Sequence, residues 1–169
     1  MKRLPVDRLV PHGYIFIWVE KEFIQEIVTT MKRAWNFSYV ENFVWVKQSV
    51  DNTFCLEPYK YFQKSKVTLF IFRRDTELSR KMDIRHQRNP DVYFDFCHSV
   101  SNGPAPASSS DGKKVQKFEE KTRFAFNVVE TLLPNAVNRK KCLELWGHPQ
   151  TIERKGWTKI IELGTVEEK

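Results

Sequence analysis

The sequence predicts an α/β protein with a mixed sheet, and three observations carry that prediction. Short runs rich in β-branched and aromatic residues recur along the chain and read as strands. Two longer stretches repeat their apolar residues at helical spacing. Strands and helices interleave in the order β-α-β-β-β-α-β-β. The most apolar strands stand directly before helices, the pattern of parallel strands at the centre of a sheet, with a hairpin at one side.

"GYIFIWVE", 13–20, is nearly continuous in apolar residues and is expected to be a strand buried on both faces. "KEFIQEIVTTMKRAW", 21–35, brings Phe23, Ile24, Ile27, Val28, Met31, Ala34 and Trp35 onto one helical face for packing on the sheet. "FSYVENFVWVKQ", 37–48, alternates and reads as a strand. Residues 49–64 contain Asp51, Asn52 and Pro58 and read as a loop carrying the aromatic cluster "EPYKYF". "SKVTLFIFRR", 65–74, is expected to pair antiparallel with 37–48. The charged stretch 75–90 has no clear apolar face and predicts a loop with a short helical turn. "DVYFDFCH", 91–98, alternates again, and Asn89-Pro90 reads as the turn that starts it.

The Ser-, Gly-, Pro- and Ala-rich segment 99–116 has the composition of a disordered loop. "KFEEKTRFAFNVVETLL", 117–133, predicts a helix ended by Pro134-Asn135. Strands are expected at 141–147, closed by Gly147, and at 156–163, before a short tail. The whole chain, 1–169, is expected to be a single domain.

Composition narrows the function. The formal net charge is +7, which fits a polyanionic partner such as nucleic acid. Cys55, Cys97 and Cys142 are odd in number and lack C-x-x-C spacing, which argues against a disulfide framework and a zinc site and for a reducing compartment. His12, His86, His98 and His148 are scattered, so no metal is expected. No apolar run approaches the roughly 18 residues of a membrane span. The chain has no Walker loop, G-x-G-x-x-G or G-x-S-x-G turn.

Three groups of residues are candidates for function. The first is the turn at 146–151. A strand ending in Trp146-Gly147 lets backbone approach a ligand closely, because glycine has no Cβ, and open α/β sheets bind ligands beyond strand carboxyl ends. A plain β-turn with a core tryptophan is the alternative. The second group is the basic residues Arg73, Arg74, Arg80, Lys81, Arg85, Arg88, Lys113, Lys114, Arg139, Lys140 and Lys141, read either as phosphate contacts or as solvated loops. The third is Trp45, Phe54, Tyr59, Tyr61 and Phe62, an aromatic set expected to anchor a subunit interface on the hairpin formed by 37–48 and 65–74.

"GYIFIWVEKEFIQEIVTTMKRAWNFSYVENFVWVKQ" resembles a segment of the MT-A70 family of adenine N6-methyltransferases, in which an apolar strand, a helix, an aromatic turn and a strand ending in Trp-Val-Lys follow one another. "CLELWGHPQTIERKGWTKI" is similar to the family's closing glycine turn, and "DVYFDF" falls where the family has an apolar strand before its cofactor helix. The resemblance covers roughly 14–163. It implies a Rossmann-like class I methyltransferase fold with permuted motifs, and transfer of a methyl group from S-adenosylmethionine to adenine in RNA or DNA.

The chain departs from the family's catalytic pattern. It has no Asp-Pro-Pro-Trp, so the fold is expected to lack the segment with the catalytic loop, and no catalytic residue is assigned. The family's Arg-Pro-His-Asn reads His148-Pro149-Gln150-Thr151, and its Lys-Pro-Asp-Glu reads Lys121-Thr122-Arg123-Phe124. The resemblance therefore implies a vestigial cofactor turn at Trp146, Gly147, His148, Gln150 and Thr151, with no cofactor bound by this chain. Within the family the chain is most similar to the degenerate, non-catalytic partner subunits of ciliate DNA adenine methyltransferase complexes. The implied partners are a catalytic MT-A70 paralogue, in a heterodimer or larger complex, and DNA or RNA; the expected location is nuclear. Two alternatives stand beside this: an active enzyme whose catalytic loop lies upstream of these residues, and a stand-alone nucleic-acid binding module.

Overall fold

The computed structural model describes residues 4–85, 89–96, 98–100, 118–120, 122–147, 149, 151 and 153–161. They form two compact units, one from 1–83 and 88–122, the other from 84–87 and 123–169.

The first unit opens with a short helix, α1 (Val6–Leu9), and the strand β1 (Tyr14–Val19). A 3-10 turn, Lys21–Phe23, leads into α2 (Ile24–Trp35) and then the long strand β2 (Phe37–Gln48). After the 49–64 connection come β3 (Lys66–Arg74), the one-turn helix α3 (Glu77–Arg80) and β4 (Val92–Phe96). A small antiparallel pair, β5 (His98–Val100) and β6 (Phe118–Glu120), completes the unit.

The main sheet runs β1-β3-β2-β4, with β1–β3 and β3–β2 antiparallel and β2–β4 parallel. It is the mixed sheet of an α/β protein, and the antiparallel pairing of 65–74 with 37–48 is as expected. The position of β1 is a correction. It was expected buried at the centre in parallel pairing, yet among the described residues it pairs only with β3 and most of it is half-buried. β1 and β2 do run in the same direction, as a strand-helix-strand crossover requires. However, the short return through 49–64 brings β3 in between them.

α2 packs through Ile27, Met31 and Trp35, spaced by four, against Val19, Phe37, Phe70 and Phe72. Burying side chains of this size contributes about 1.5–3 kcal/mol each. The stripe is narrower than predicted, because Phe23, Ile24, Val28 and Ala34 are exposed. Asn36 ends the helix in the left-handed conformation at φ 54°, its N–H bonded to the Met31 carbonyl. On β2, the 39/41 bulge resets the alternation, so Phe43, Trp45 and Lys47 all point inward and are buried. At the other end of the sheet, Gly13 at φ 117° donates its N–H to the buried Ser79 hydroxyl at 3.0 Å, pinning α3.

The second unit contains α4 (Phe124–Leu132), α5 (Pro134–Asn138) and a parallel pair, β7 (Cys142–Glu144) and β8 (Trp157–Lys159). The helix predicted over 117–133 begins only at Phe124, and Phe118–Glu120 are strand instead. Thr122, the last residue of the first unit, donates its hydroxyl to the Asp95 carboxylate at 2.5 Å just before the helix begins. Pro134 ends α4 as expected and opens α5 at its first turn, where a missing N–H costs nothing. Arg154 grips Glu130 with Nε–Oε1 at 3.0 Å and Nη2–Oε2 at 3.2 Å, and Trp157 donates to the same carboxylate at 2.9 Å. Of the predicted loop 99–116, residues 101–116 lie outside the described residues.

Candidate functional site

The hairpin arm between β2 and β3 is more ordered than a loop. Ser49 N–H donates to the Thr53 carbonyl at 2.9 Å, and Cys55 N–H to the Lys47 carbonyl at 3.0 Å. Glu57 and Lys64 then exchange backbone bonds at 2.8 and 2.7 Å, forming a second, smaller hairpin whose tip is 58–63.

Side chains tie that tip to the sheet. Buried Lys47 reaches Glu57 at 2.9 Å, and Lys64 reaches Glu20 at 3.0 Å. The hydrogen bond it donates to Glu20 holds the Lys64 ammonium above its ordinary pKa. The Tyr59 ring lies beneath two cations, Lys64 at 4.9 Å and Lys21 at 5.3 Å.

This arrangement sorts the five predicted interface residues. Tyr61 is 93% exposed, Phe62 80% and Phe54 56%, with Leu56 and Val50 exposed beside them in sequence. Tyr59 is half-buried under its lysines. Trp45 is a correction: it is fully buried, its ring edge-on to Trp18 at 6.2 Å and its Nε1 donating to the Asp95 carbonyl at 3.2 Å. It is a core residue because inward phase on β2 runs through Phe43, Trp45 and Lys47.

The basic candidates divide as well. Arg74 is largely used internally: it pairs with Asp7 at 2.8 Å, donates to the Val10 carbonyl and stacks over Phe37 at 5.4 Å. That contradicts its reading as a phosphate contact, since its guanidinium is committed to fixing α1. Arg73 is half-buried on β3. Arg80 is exposed at the end of α3 and Lys81 just after it, Lys81 paired with Glu77 at 2.5 Å. In the second unit Arg139, Lys140 and Lys141 are exposed together just after α5, and Arg85 is exposed. Arg88, Lys113 and Lys114 lie outside the described residues.

The glycine turn follows β7. Trp146 is exposed and holds φ 57°, a strained conformation for a bulky residue. Gly147 is buried, and its N–H donates to the Ile160 carbonyl at 2.9 Å. A Cβ at this position would collide with Lys159 Cγ and lie 2.7 Å from Lys159 Cδ and 3.3 Å from Glu144 Cδ. The Lys159 ammonium donates to the Thr151 carbonyl at 2.8 Å. Burial raises the pKa of Glu144 against the opposing fields of Lys159 and Arg154. His148 and Gln150 lie outside the described residues.

The close approach that glycine permits is made here by the methylene stem of Lys159. Sequence reasoning missed Lys159 and Lys47. For Lys47 the sequence carried half the signal: period-2 alternation puts it on the face of Phe43 and Trp45, and the 39/41 bulge decides which way that face points. For Lys159 there was none, because its place depends on the β7–β8 register. Among the described residues no three His, Cys, Asp or Glu side chains gather as a metal site, and no helix is long and apolar enough to cross a membrane.

A comparison with curated proteins finds no match to the chain. The family model for MT-A70 matches residues 1–106, which takes in β1 to β4 and the hairpin arm but not the glycine turn. That span is more than half of the 169 residues, and the mixed α/β architecture agrees with it. The chain belongs to the MT-A70 family, and its function is methyltransferase-related.

Proposed function

We propose that this chain is a non-catalytic MT-A70 subunit. It pairs with a catalytic paralogue in an S-adenosylmethionine-dependent adenine N6-methyltransferase complex, supports its assembly and helps hold nucleic acid. The observation that carries the reading is the hairpin tip, where Tyr61 and Phe62 stand almost wholly in solvent on a base fixed by two ion pairs. Large aromatics held outward on a rigid arm are typical anchors for a partner surface.

In this reading the fixed acceptors that aim an amine's lone pair at the methyl group, and the cofactor itself, are both assigned to the partner. The exposed cations Arg139, Lys140 and Lys141 are the residues proposed to touch phosphates of DNA or RNA, and the complex is proposed to be nuclear.

Light scattering of this chain mixed with a catalytic paralogue tests the pairing. A heterodimer is expected with the wild type and a weakened one with Tyr61→Ala and Phe62→Ala together. Unchanged assembly by the double variant would remove the hairpin from the interface, and no assembly by the wild type would remove the proposal.

A further inference from the structure

We propose that the free edge of β1 pairs with itself: two copies of this chain join β1 to β1, antiparallel, about a twofold axis at Phe16. The contact is separate from the one proposed for the hairpin tip and joins two four-stranded sheets into one.

Alternation along the strand sets which backbone groups are free. Arg74 N–H donates to the Gly13 carbonyl at 2.9 Å, so in the antiparallel register Ile15, Ile17 and Val19 are the residues bonded to β3. The N–H and C=O groups of Tyr14, Phe16 and Trp18 then point to the other side, where no backbone partner meets them among the described residues. The strand is not built as an edge that faces water. Ile15 and Ile17 pack on the core beneath α2, and on the opposite face Trp18 stands edge-on to Phe43 at 6.3 Å and Trp45 at 6.2 Å. β1 contains no charged residue, no proline and no bulge against β3, so it lacks the usual devices that keep an edge from pairing. The edge at β4 differs, since Asp95 lies within it and its carboxylate takes the Phe96 N–H at 2.9 Å.

A second copy is the occupant because the edge is complementary to itself. Antiparallel pairing centred on Phe16 sets Phe16 opposite Phe16 of the second copy and Tyr14 opposite its Trp18. Each is a hydrogen-bonded pair, and each is an aromatic pair on the same face of the joined sheet. Past the strand ends the same register brings His12 toward Glu20 of the second copy, so no like charges meet. The twofold axis closes the contact at two copies.

Sedimentation velocity of the full chain tests the proposal. The wild type is expected to dimerise as its concentration rises. Phe16→Pro removes an outward N–H while leaving the bonds to β3, and is expected to weaken the dimer about tenfold or more. A wild type that is monomeric at every concentration would overturn the proposal, as would a Phe16→Pro variant that is folded by circular dichroism and dimerises as well as the wild type. A chain that stays monomeric alone and forms only a one-to-one complex with the catalytic paralogue would overturn it too, and would give the edge to the paralogue. A second measurement reads the register and does not depend on the proline variant. Facing residues of a hydrogen-bonded pair have Cα atoms about 5.5 Å apart, within disulfide reach. After mild oxidation, non-reducing gels are expected to show a linked dimer of Phe16→Cys well above the wild-type background. Tyr14→Cys, whose two copies lie far apart in this register, is expected to stay at background. Equal linkage of the two variants, or linkage of neither, would overturn the twofold pairing at Phe16.

Discussion

The Lys47 ammonium lies 2.9 Å from the Glu57 carboxylate, joining the inward face of β2 to the base of the hairpin arm. The Lys47 side chain is 6% exposed and that of Glu57 54%, so the pair is half in water. Removing one partner of a buried pair is more damaging than replacing the buried charge by an apolar group of similar shape. Glu57→Gln should therefore cost about 1 kcal/mol, discounted for solvent screening, while Lys47→Met should be close to neutral. Urea denaturation of the two variants checks the contrast.

The fully buried Trp45 and the solvated Tyr61 should behave in opposite ways. Trp45→Ala is expected to cost about 3–5 kcal/mol and to impair folding. Tyr61→Ala and Phe62→Ala should each change stability by no more than about 0.5 kcal/mol, as surface substitutions do, while weakening partner binding about tenfold or more. Thermal melts and a titration against the catalytic paralogue separate the two effects.

Asp75 links three elements, accepting from Lys32 at 2.6 Å and from the Ser38 hydroxyl at 2.6 Å. The Lys32 hydrogen bond, with that of Ser38, holds its carboxyl below the usual carboxylate range. The stabilisation is fully present above the unfolded-state value of about 3.9 and is lost as pH falls through the lowered folded value. Asp75→Asn should therefore lower the melting temperature at pH 7, and the difference from wild type should close in strong acid. Melts across that range give the answer.

Glu130 accepts both Arg154 and the Trp157 indole, whose ring stands edge-on to Phe126 at 5.1 Å. Glu130→Ala strands two donors and should cost about 2–3 kcal/mol. Arg154→Lys should recover little, since lysine cannot make the two-pronged contact. Circular dichroism melts of both variants measure it.

Much of the first unit was legible because local pattern and tertiary role agree there. β2 and β3 are rich in β-branched and aromatic residues, and Asn89-Pro90 announced the start of β4. The order of strands was not legible, because nothing local to "GYIFIWV" says that β3 will sit between β1 and β2. Trp45 was misread for a related reason. An aromatic on a hairpin can face either way, and only the register past the 39/41 bulge fixes it inward. At the candidate sites, Tyr61 and Phe62 were legible because Pro58 and the lysines around them mark a turn. Lys159 was not, since its contact with Gly147 joins two strands that are separate in sequence.

The most direct measurement is methyl transfer from labelled S-adenosylmethionine to adenine-containing DNA and RNA. It compares this chain alone, an MT-A70 paralogue carrying Asp-Pro-Pro-Trp alone, and the two together. A non-catalytic partner predicts no transfer by this chain and transfer that appears or rises strongly in the mixture, with the better substrate deciding between DNA and RNA. Transfer by this chain alone, or a mixture no more active than the paralogue, would contradict it.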